Sequence, residues 1–142
     1  MLTQAEANKL IATKKMFVSP ATISLPPGSD VTYELMSHDK QEQFLLDLWR
    51  GTLRLSKIKF QNRARQVVVL VRLDVDGAPH TNPDGQRLSG THIHYYREGF
   101  DDRWAEQLDP NIFTDTSDIA LTLEQFCSHC SIEKPTYQGW LT

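Results

Sequence analysis

A sheet can be placed outward from Val67-Val68-Val69-Leu70-Val71-Arg72-Leu73-Asp74-Val75-Asp76. Residues 67–71 are apolar on both faces, the pattern of a strand with neighbours covering both sides. They are predicted to lie mid-sheet. From Val71 onward the pattern alternates. Leu73 and Val75 point one way; Arg72, Asp74 and Asp76 point the other. Asp76-Gly77 ends the strand.

Toward the C-terminus, the next strand reads Thr91-His92-Ile93-His94-Tyr95-Tyr96-Arg97-Glu98, bracketed by Gly90 and Gly99. Its β-branched and aromatic content favours extended chain. Alternation sends Thr91, Ile93 and Tyr95 to one face and His92, His94 and Tyr96 to the other. The link between the two strands carries His80 and then Asn82-Pro83-Asp84-Gly85, a type I turn signal. Sequential strands tend to pair, so Arg72, Asp74 and Asp76 are predicted to lie beside His92, His94 and Tyr96.

Toward the N-terminus, Val31 to Met36 alternates as a strand, and Ser37 to Lys40 is its turn. Phe44, Leu46 and Leu48 form one face of the following strand. Gly51-Thr52 is predicted to close a hairpin into Leu53–Phe60. That segment changes phase between Leu53 and Leu55 on one side and Ile58 and Phe60 on the other. A β-bulge at Ser56-Lys57 would reconcile the four; the alternative is that one strand ends near Ser56 and another begins. Thr3 to Lys15 reads as a helix, with a Thr3/Glu6 capping box and a Leu2/Ala7 staple. At the far end, Asp101-Asp102 is predicted to cap a short helix carrying Trp104 and Leu108. A last helix follows, with Ile119, Leu123, Phe126, Cys127 and Cys130 on one face. Thr122 and Gln125 are read as a second capping box, and Trp140 as packing back onto the body. The expected fold is one α+β domain over residues 1–142. Its antiparallel meander has about five strands, flanked by an N-terminal and a C-terminal helix.

A length of 142 residues, with 39% apolar and 23% charged, suits a globular protein with its own core. No run reaches the length of a membrane span. Residues 1–7 lack the basic and apolar regions of a secretion signal, so cytoplasmic residence is expected. Two cysteines, Cys127 and Cys130, supply no disulfide framework. They fall near a helix C-terminus, where no dipole lowers a thiol pKa. They are predicted to be buried, reduced and unligated.

Net charge is −3, which argues against a strongly basic nucleic-acid binder. The distribution is uneven, however. Residues 48–73 hold seven of the fifteen basic residues and none of the eighteen acids. Such asymmetry steers anionic ligands. Arg50, Arg54, Lys57, Lys59, Arg63 and Arg65 are therefore the expected nucleic-acid contacts; a solvated basic strand face is the plainer alternative.

The sequence has no Gly-rich phosphate loop, nucleophile elbow or helix-turn-helix signal. The histidine-rich face suits acid–base chemistry. One imidazole takes a proton from a ribose 2′-hydroxyl, and a second gives one to the leaving oxygen. Arg72 or Arg97 stabilises the charge on phosphorus. The expected catalytic set is His80, His92, His94, Tyr96, Arg72 and Arg97, with no metal and no cofactor. A metal-dependent enzyme on the same face is one alternative, its ligands His92 and His94 with Asp74 or Asp76 and His80 as a third imidazole. A non-catalytic binding protein, either an antitoxin-like partner or an inhibitor, is the other.

Arg72-Leu73-Asp74, Ala78-Pro79-His80 and His92-Ile93-His94 together resemble a pattern in TumE-type toxins of bacterial toxin–antitoxin pairs. Those are small cytosolic proteins with an Ala-Pro-His turn before a histidine-rich strand. The expected partner is RNA, or a protein antitoxin or target, and no membrane. Asn82-Pro83-Asp84-Gly85 and Tyr96-Arg97-Glu98-Gly99, with Arg72-Leu73-Asp74, are similar to segments of an uncharacterised family of small bacterial proteins. That likeness implies a bacterial or mobile-element origin.

Overall fold

The middle of the chain folds as one antiparallel meander. The computed structural model describes residues 1–20 and 22–137. Helix α1 (Gln4–Ala12) is followed by strands β1 (Lys15–Phe17) and β2 (Thr22–Ile23). The meander proper is β3 (Asp30–Ser37), β4 (Gln43–Arg50), β5 (Ile58–Ala64) and β6 (Val68–Val75). A small excursion, β7 (His80–Thr81) and β8 (Arg87–Leu88), leads to β9 (His92–Tyr95) and β10 (Ala105–Glu106). Helix α2 (Ile119–His129) and β11 (Thr136–Tyr137) close the described chain. The main sheet has seven antiparallel strands in the order β1-β3-β4-β5-β6-β9-β10. The α+β class and both flanking helices are as predicted. The two strands beyond the expected five are short edges, too brief to carry a period.

Alternation explains which side of the sheet is covered. Phe44, Leu46, Leu48, Ile58, Phe60, Leu73, Val75 and Ile93 are buried on one face. Helix α2 lies on that face, with Phe126 edge-on to Phe60 at 6.0 Å between ring centroids. Leu123 and Cys127 fill in beside it. Each such side chain contributes about 1.5–3 kcal/mol by leaving water. Both cysteines are free and buried. Burial pushes the Cys130 thiol up to about 12 and raises Cys127 as well, so neither is a nucleophile near neutral pH.

The N-terminal helix begins on the predicted capping box. Thr3 Oγ1 accepts from the Glu6 N–H, and the Glu6 carboxylate accepts from the Thr3 N–H. Where α1 and α2 end, one ammonium serves both. Lys15 Nζ donates to Ile11 O and Thr13 O at 3.0 Å and to Cys130 O at 2.7 Å. It also lies 4.7 Å above the Phe44 ring. A cation is favourable at helix C-termini, where carbonyls lack partners. Burial still pushes this ammonium down to about 8.

Several local expectations differ from the structure. β6 does lie inside the sheet, between β5 and β9, but Val67 precedes it and is exposed. The bulge is not at Ser56-Lys57. Gly51 to Lys57 is a turn, closed by Gly51 N–H to Lys57 O and Lys57 N–H to Arg54 O, and Leu53 projects into solvent. The register instead shifts at Asn62/Arg63, where Asn62 faces Val71 and Arg63 faces Val69. Leu70 is the extra residue, and Leu70 and Val71 are both buried as a result. Residues 101–108 form a turn and β10 rather than a helix, because Ala105 and Glu106 pair with His94 and Ile93. Asp118, not Thr122, caps α2; Thr122 is buried within it, and Gln125 bonds Thr114 instead. The expectation for Trp140 lies outside the described residues.

Candidate functional site

The uncovered face of the sheet is built from the other parity. The register sets Asp74 opposite His92 and Arg72 opposite His94 across β6 and β9. Lys59 faces Asp74 and Gln61 faces Arg72 across β5. Asp47 faces Gln61 and Trp49 faces Lys59 across β4. Directly opposed side chains sit within contact range, so two polar rows cross four strands.

The histidine end of these rows is roofed. Residues 77–91 leave the sheet and return through a neck where Gly77 N–H donates to Gly90 O at 3.0 Å. Asn82 ties the roof down: its amide donates to Ala105 O at 2.9 Å and accepts from Ala105 N–H at 2.8 Å. His80, at the start of β7, packs over both strand histidines, 4.6 Å from His94 and 5.5 Å from His92 between ring centroids. Its Nε2 donates to Arg103 O at 2.9 Å. The rings of His92 and His94 are themselves 4.8 Å apart. Under this cover His92 is 2% exposed and His94 1%.

Main-chain carbonyls fix both buried imidazoles. His92 Nδ1–H donates to Ser89 O at 2.7 Å, and His94 Nδ1–H to Asp102 O at 2.8 Å. Both Nε2 atoms then face one carboxylate oxygen, Asp74 Oδ2, at 3.0 and 3.3 Å. Arg72 decides what each Nε2 carries. A guanidinium only donates, and its Nη2 lies 2.9 Å from His94 Nε2, so that nitrogen accepts. His92 has no such donor, and its contact with Asp74 requires a proton on Nε2. Burial opposes a charge on His92, but the bonds to Asp74 and Ser89 and the carboxylate's charge outweigh it and raise its pKa. Burial likewise opposes a charge on Asp74; its bond to His92 and the Arg72 charge hold it far below the usual carboxylate range. Arg72 Nη1 also donates to Asp102 Oδ2 at 3.0 Å.

Beside the roof, a groove of about 520 Å³ runs along the open face. Trp49, Lys59, Gln61, Arg63 and Arg72 line it, over Asp47 and Asp30. Arg72 is the shared residue: its side chain is 30% exposed and spans from groove to imidazoles. Lys57 and Lys59 both lie over the Trp49 ring, at 5.6 and 5.7 Å.

His80, His92, His94 and Arg72 are thus brought together. Tyr96 and Arg97 are not. β9 ends at Tyr95, and Tyr96 turns into the core, where its hydroxyl donates to Leu2 O at 2.6 Å. Arg97 stacks on Trp104, 4.1 Å from the ring centroid. Among the basic residues, Arg50 is buried and donates to Leu55 O and Leu25 O. It has the parity of Phe44, Leu46 and Leu48, a signal legible in the sequence. Arg63 is paired with Asp47 and Arg65 with Glu42. Arg54, Lys57 and Lys59 make no ion pair among the described residues; Arg54 Nη1 donates to Asp76 O at 3.2 Å, and the two lysines lie at the Trp49 ring. Asp102, read as a helix cap, is instead the second carboxylate on Arg72. Of the two carboxylates weighed as ligands, Asp74 joins the cluster; Asp76 is exposed and its N–H bonds Thr91.

A family model matches residues 2–132: the family of unknown function DUF6978. The chain belongs to that family. The match spans every residue of the cluster, from Arg72 to Asp102. No curated protein and no solved structure matches the chain. Among the described residues, no helix is long and apolar enough to cross a membrane.

Proposed function

We propose that this protein is a toxin-like endoribonuclease of bacterial origin that cleaves RNA in the cytoplasm by metal-independent acid–base chemistry. The observation that carries the reading is a pair of buried imidazoles whose Nε2 atoms share one carboxylate oxygen, with the Arg72 guanidinium 2.9 Å from one of them. The donor from Arg72 leaves His94 Nε2 to accept, while the carboxylate of Asp74 calls for a proton on His92 Nε2. Groups held on opposite sides of a proton transfer are what a concerted acid–base step needs. The three segments that resemble TumE-type toxins, around Arg72, His80 and His92, also converge on this one cluster.

In the proposed reaction the scissile phosphate enters from the groove and draws the Arg72 guanidinium onto its oxygens. That exchange frees His94 Nε2, which accepts the proton of the ribose 2′-hydroxyl. The 2′-oxygen forms a bond to phosphorus, and the bond to the 5′-oxygen breaks. His92 gives its Nε2 proton to that leaving oxygen. The products are a 2′,3′-cyclic phosphate and a 5′-hydroxyl. Arg72 stabilises the charge that builds on phosphorus. Asp74 releases the His92 Nε2–H as the leaving oxygen arrives, its charge still favouring the imidazolium; Ser89 O on Nδ1–H keeps the ring oriented, and Arg54, Lys57 and Lys59 hold the flanking phosphates. Access requires the roof over the imidazoles to lift.

Purified protein is to be incubated with RNA in the presence of a chelator, wild type beside His92→Ala and His94→Ala. The expected result is cleavage by wild type, reduced by ~10²-fold or more in each variant with RNA affinity nearly intact. Equal cleavage in all three, or none in wild type, rejects the nuclease reading. RNA binding without cleavage would instead favour a binding protein that uses the same groove.

A further inference from the structure

We propose that Asp74, His92 and His94 also form a binding site for a divalent transition cation of the zinc class. The inference stands on the geometry of the cluster and is independent of the RNA reading. Asp74 Oδ2 lies 3.0 Å from His92 Nε2 and 3.3 Å from His94 Nε2. Bonds of about 2.0–2.1 Å at a tetrahedral ion give ligand–ligand edges of roughly 3.3 Å. The three ligand atoms all lie within 4.8 Å of one another, so small side-chain rotations complete the set.

Two further observations point to a ligand. Asp74 is 7% exposed, and its Oδ1 is buried with no hydrogen-bond partner among the described residues. A buried carboxylate oxygen left in that state is costly, and it leaves the group open to a further ligand on Oδ1 beside Oδ2. Both imidazoles also give their Nδ1–H to main-chain carbonyls, Ser89 O and Asp102 O. That is the support metal-ligating histidines have, because it fixes the tautomer with Nε2 free to ligate. Two imidazoles and one carboxylate suit zinc or its first-row neighbours and disfavour magnesium and calcium, which take oxygen.

On binding, the cation takes Nε2 of His92 in place of a proton, which is released to solvent. It takes Nε2 of His94 in place of Arg72 Nη2. The arginine has room to withdraw into the groove it already lines. Metal-loaded and acid–base states are therefore mutually exclusive, and zinc is expected to oppose any chemistry that uses these imidazoles.

The test is titration of chelator-stripped full-length protein with Zn²⁺, by calorimetry and by ¹⁵N spectra of the histidine rings, with Mg²⁺ in parallel. The expected result is one zinc per chain, no response to Mg²⁺, and shifts at two of the five histidines, His92 and His94. His92→Ala and His94→Ala should each weaken binding by about 100-fold or more, above the 10–100-fold typical of outer-shell partners. Arg72→Gln should tighten it. The ring spectra of wild type keep the test decisive where a variant fails to fold. No zinc binding by wild type, shifts confined to other histidines, or weaker binding by Arg72→Gln overturns the proposal.

Discussion

Asp47 does for the groove what Asp74 does for the imidazoles. Its Oδ2 accepts from Arg63 Nε at 2.6 Å and from Gln61 at 2.7 Å, and its Oδ1 from Arg63 Nη2 and Thr32. Burial opposes its charge, but these bonds and the Arg63 charge outweigh it and hold its pKa below the ordinary value. A carboxyl whose pKa is lower folded than unfolded binds fewer protons in the native state. Its stabilisation is present above the unfolded value of about 3.9 and is lost as pH falls toward the folded value. Asp47→Asn should therefore be less stable than wild type at pH 7, by about 1–3 kcal/mol for the charge-assisted bonds lost. It should also lose less between pH 7 and pH 3. Urea melts at both pH values check this; parallel pH profiles for the two proteins would contradict it.

The roof is the element that governs access. Its neck brings two backbones so close that a Cβ on Gly90 would lie 2.0 Å from Gly77 O. Gly90→Ala must spread the neck, at a cost of about 1–3 kcal/mol for overpacking. The imidazoles beneath should then be modified faster by diethyl pyrocarbonate, read by mass mapping at His92 and His94. Unchanged reactivity would mean that the cover does not depend on the neck. Around this element the sequence is legible in some places and silent in others. Strict alternation in Arg72-Leu73-Asp74 and His92-Ile93-His94, with sequential pairing, is enough to put four site residues on one face. The Asn82 to Gly85 turn is equally legible, and Gly85 N–H bonds Asn82 O as a type I turn requires. The roof itself is not, since two-residue strands carry no period and His80 reaches Arg103 by a tertiary contact. Tyr96 departs from the expected face because its strand stops one residue earlier, after Leu70 has shifted the neighbouring strand's phase. Arg97 follows it for the same reason.

Across the whole molecule, the charge segregation seen in the sequence is largely cancelled in space. Arg63, Arg65 and Arg72 meet acids from outside their own basic window, and Arg50 caps carbonyls in the core. What remains of that window for a polyanion is Arg54, Lys57 and Lys59, the two lysines lying over Trp49. Lys57→Ala and Lys59→Ala should each flatten the salt dependence of RNA affinity by about 0.7 in log–log slope, the value for one phosphate contact on a single strand. Turnover at saturating RNA should stay as in wild type. A slope unchanged in both variants would place the RNA elsewhere on the surface.

The most direct measurement uses an oligonucleotide cut by wild type at a mapped position, compared with the same oligonucleotide carrying 2′-deoxyribose on the 5′ side of that bond. Transfer of the 2′-hydroxyl proton to His94 requires that hydroxyl. The deoxy substrate should not be cleaved, and the all-ribose one should give a 2′,3′-cyclic phosphate with a 5′-hydroxyl. Equal cleavage of both substrates, or a 5′-phosphate product, would contradict that transfer.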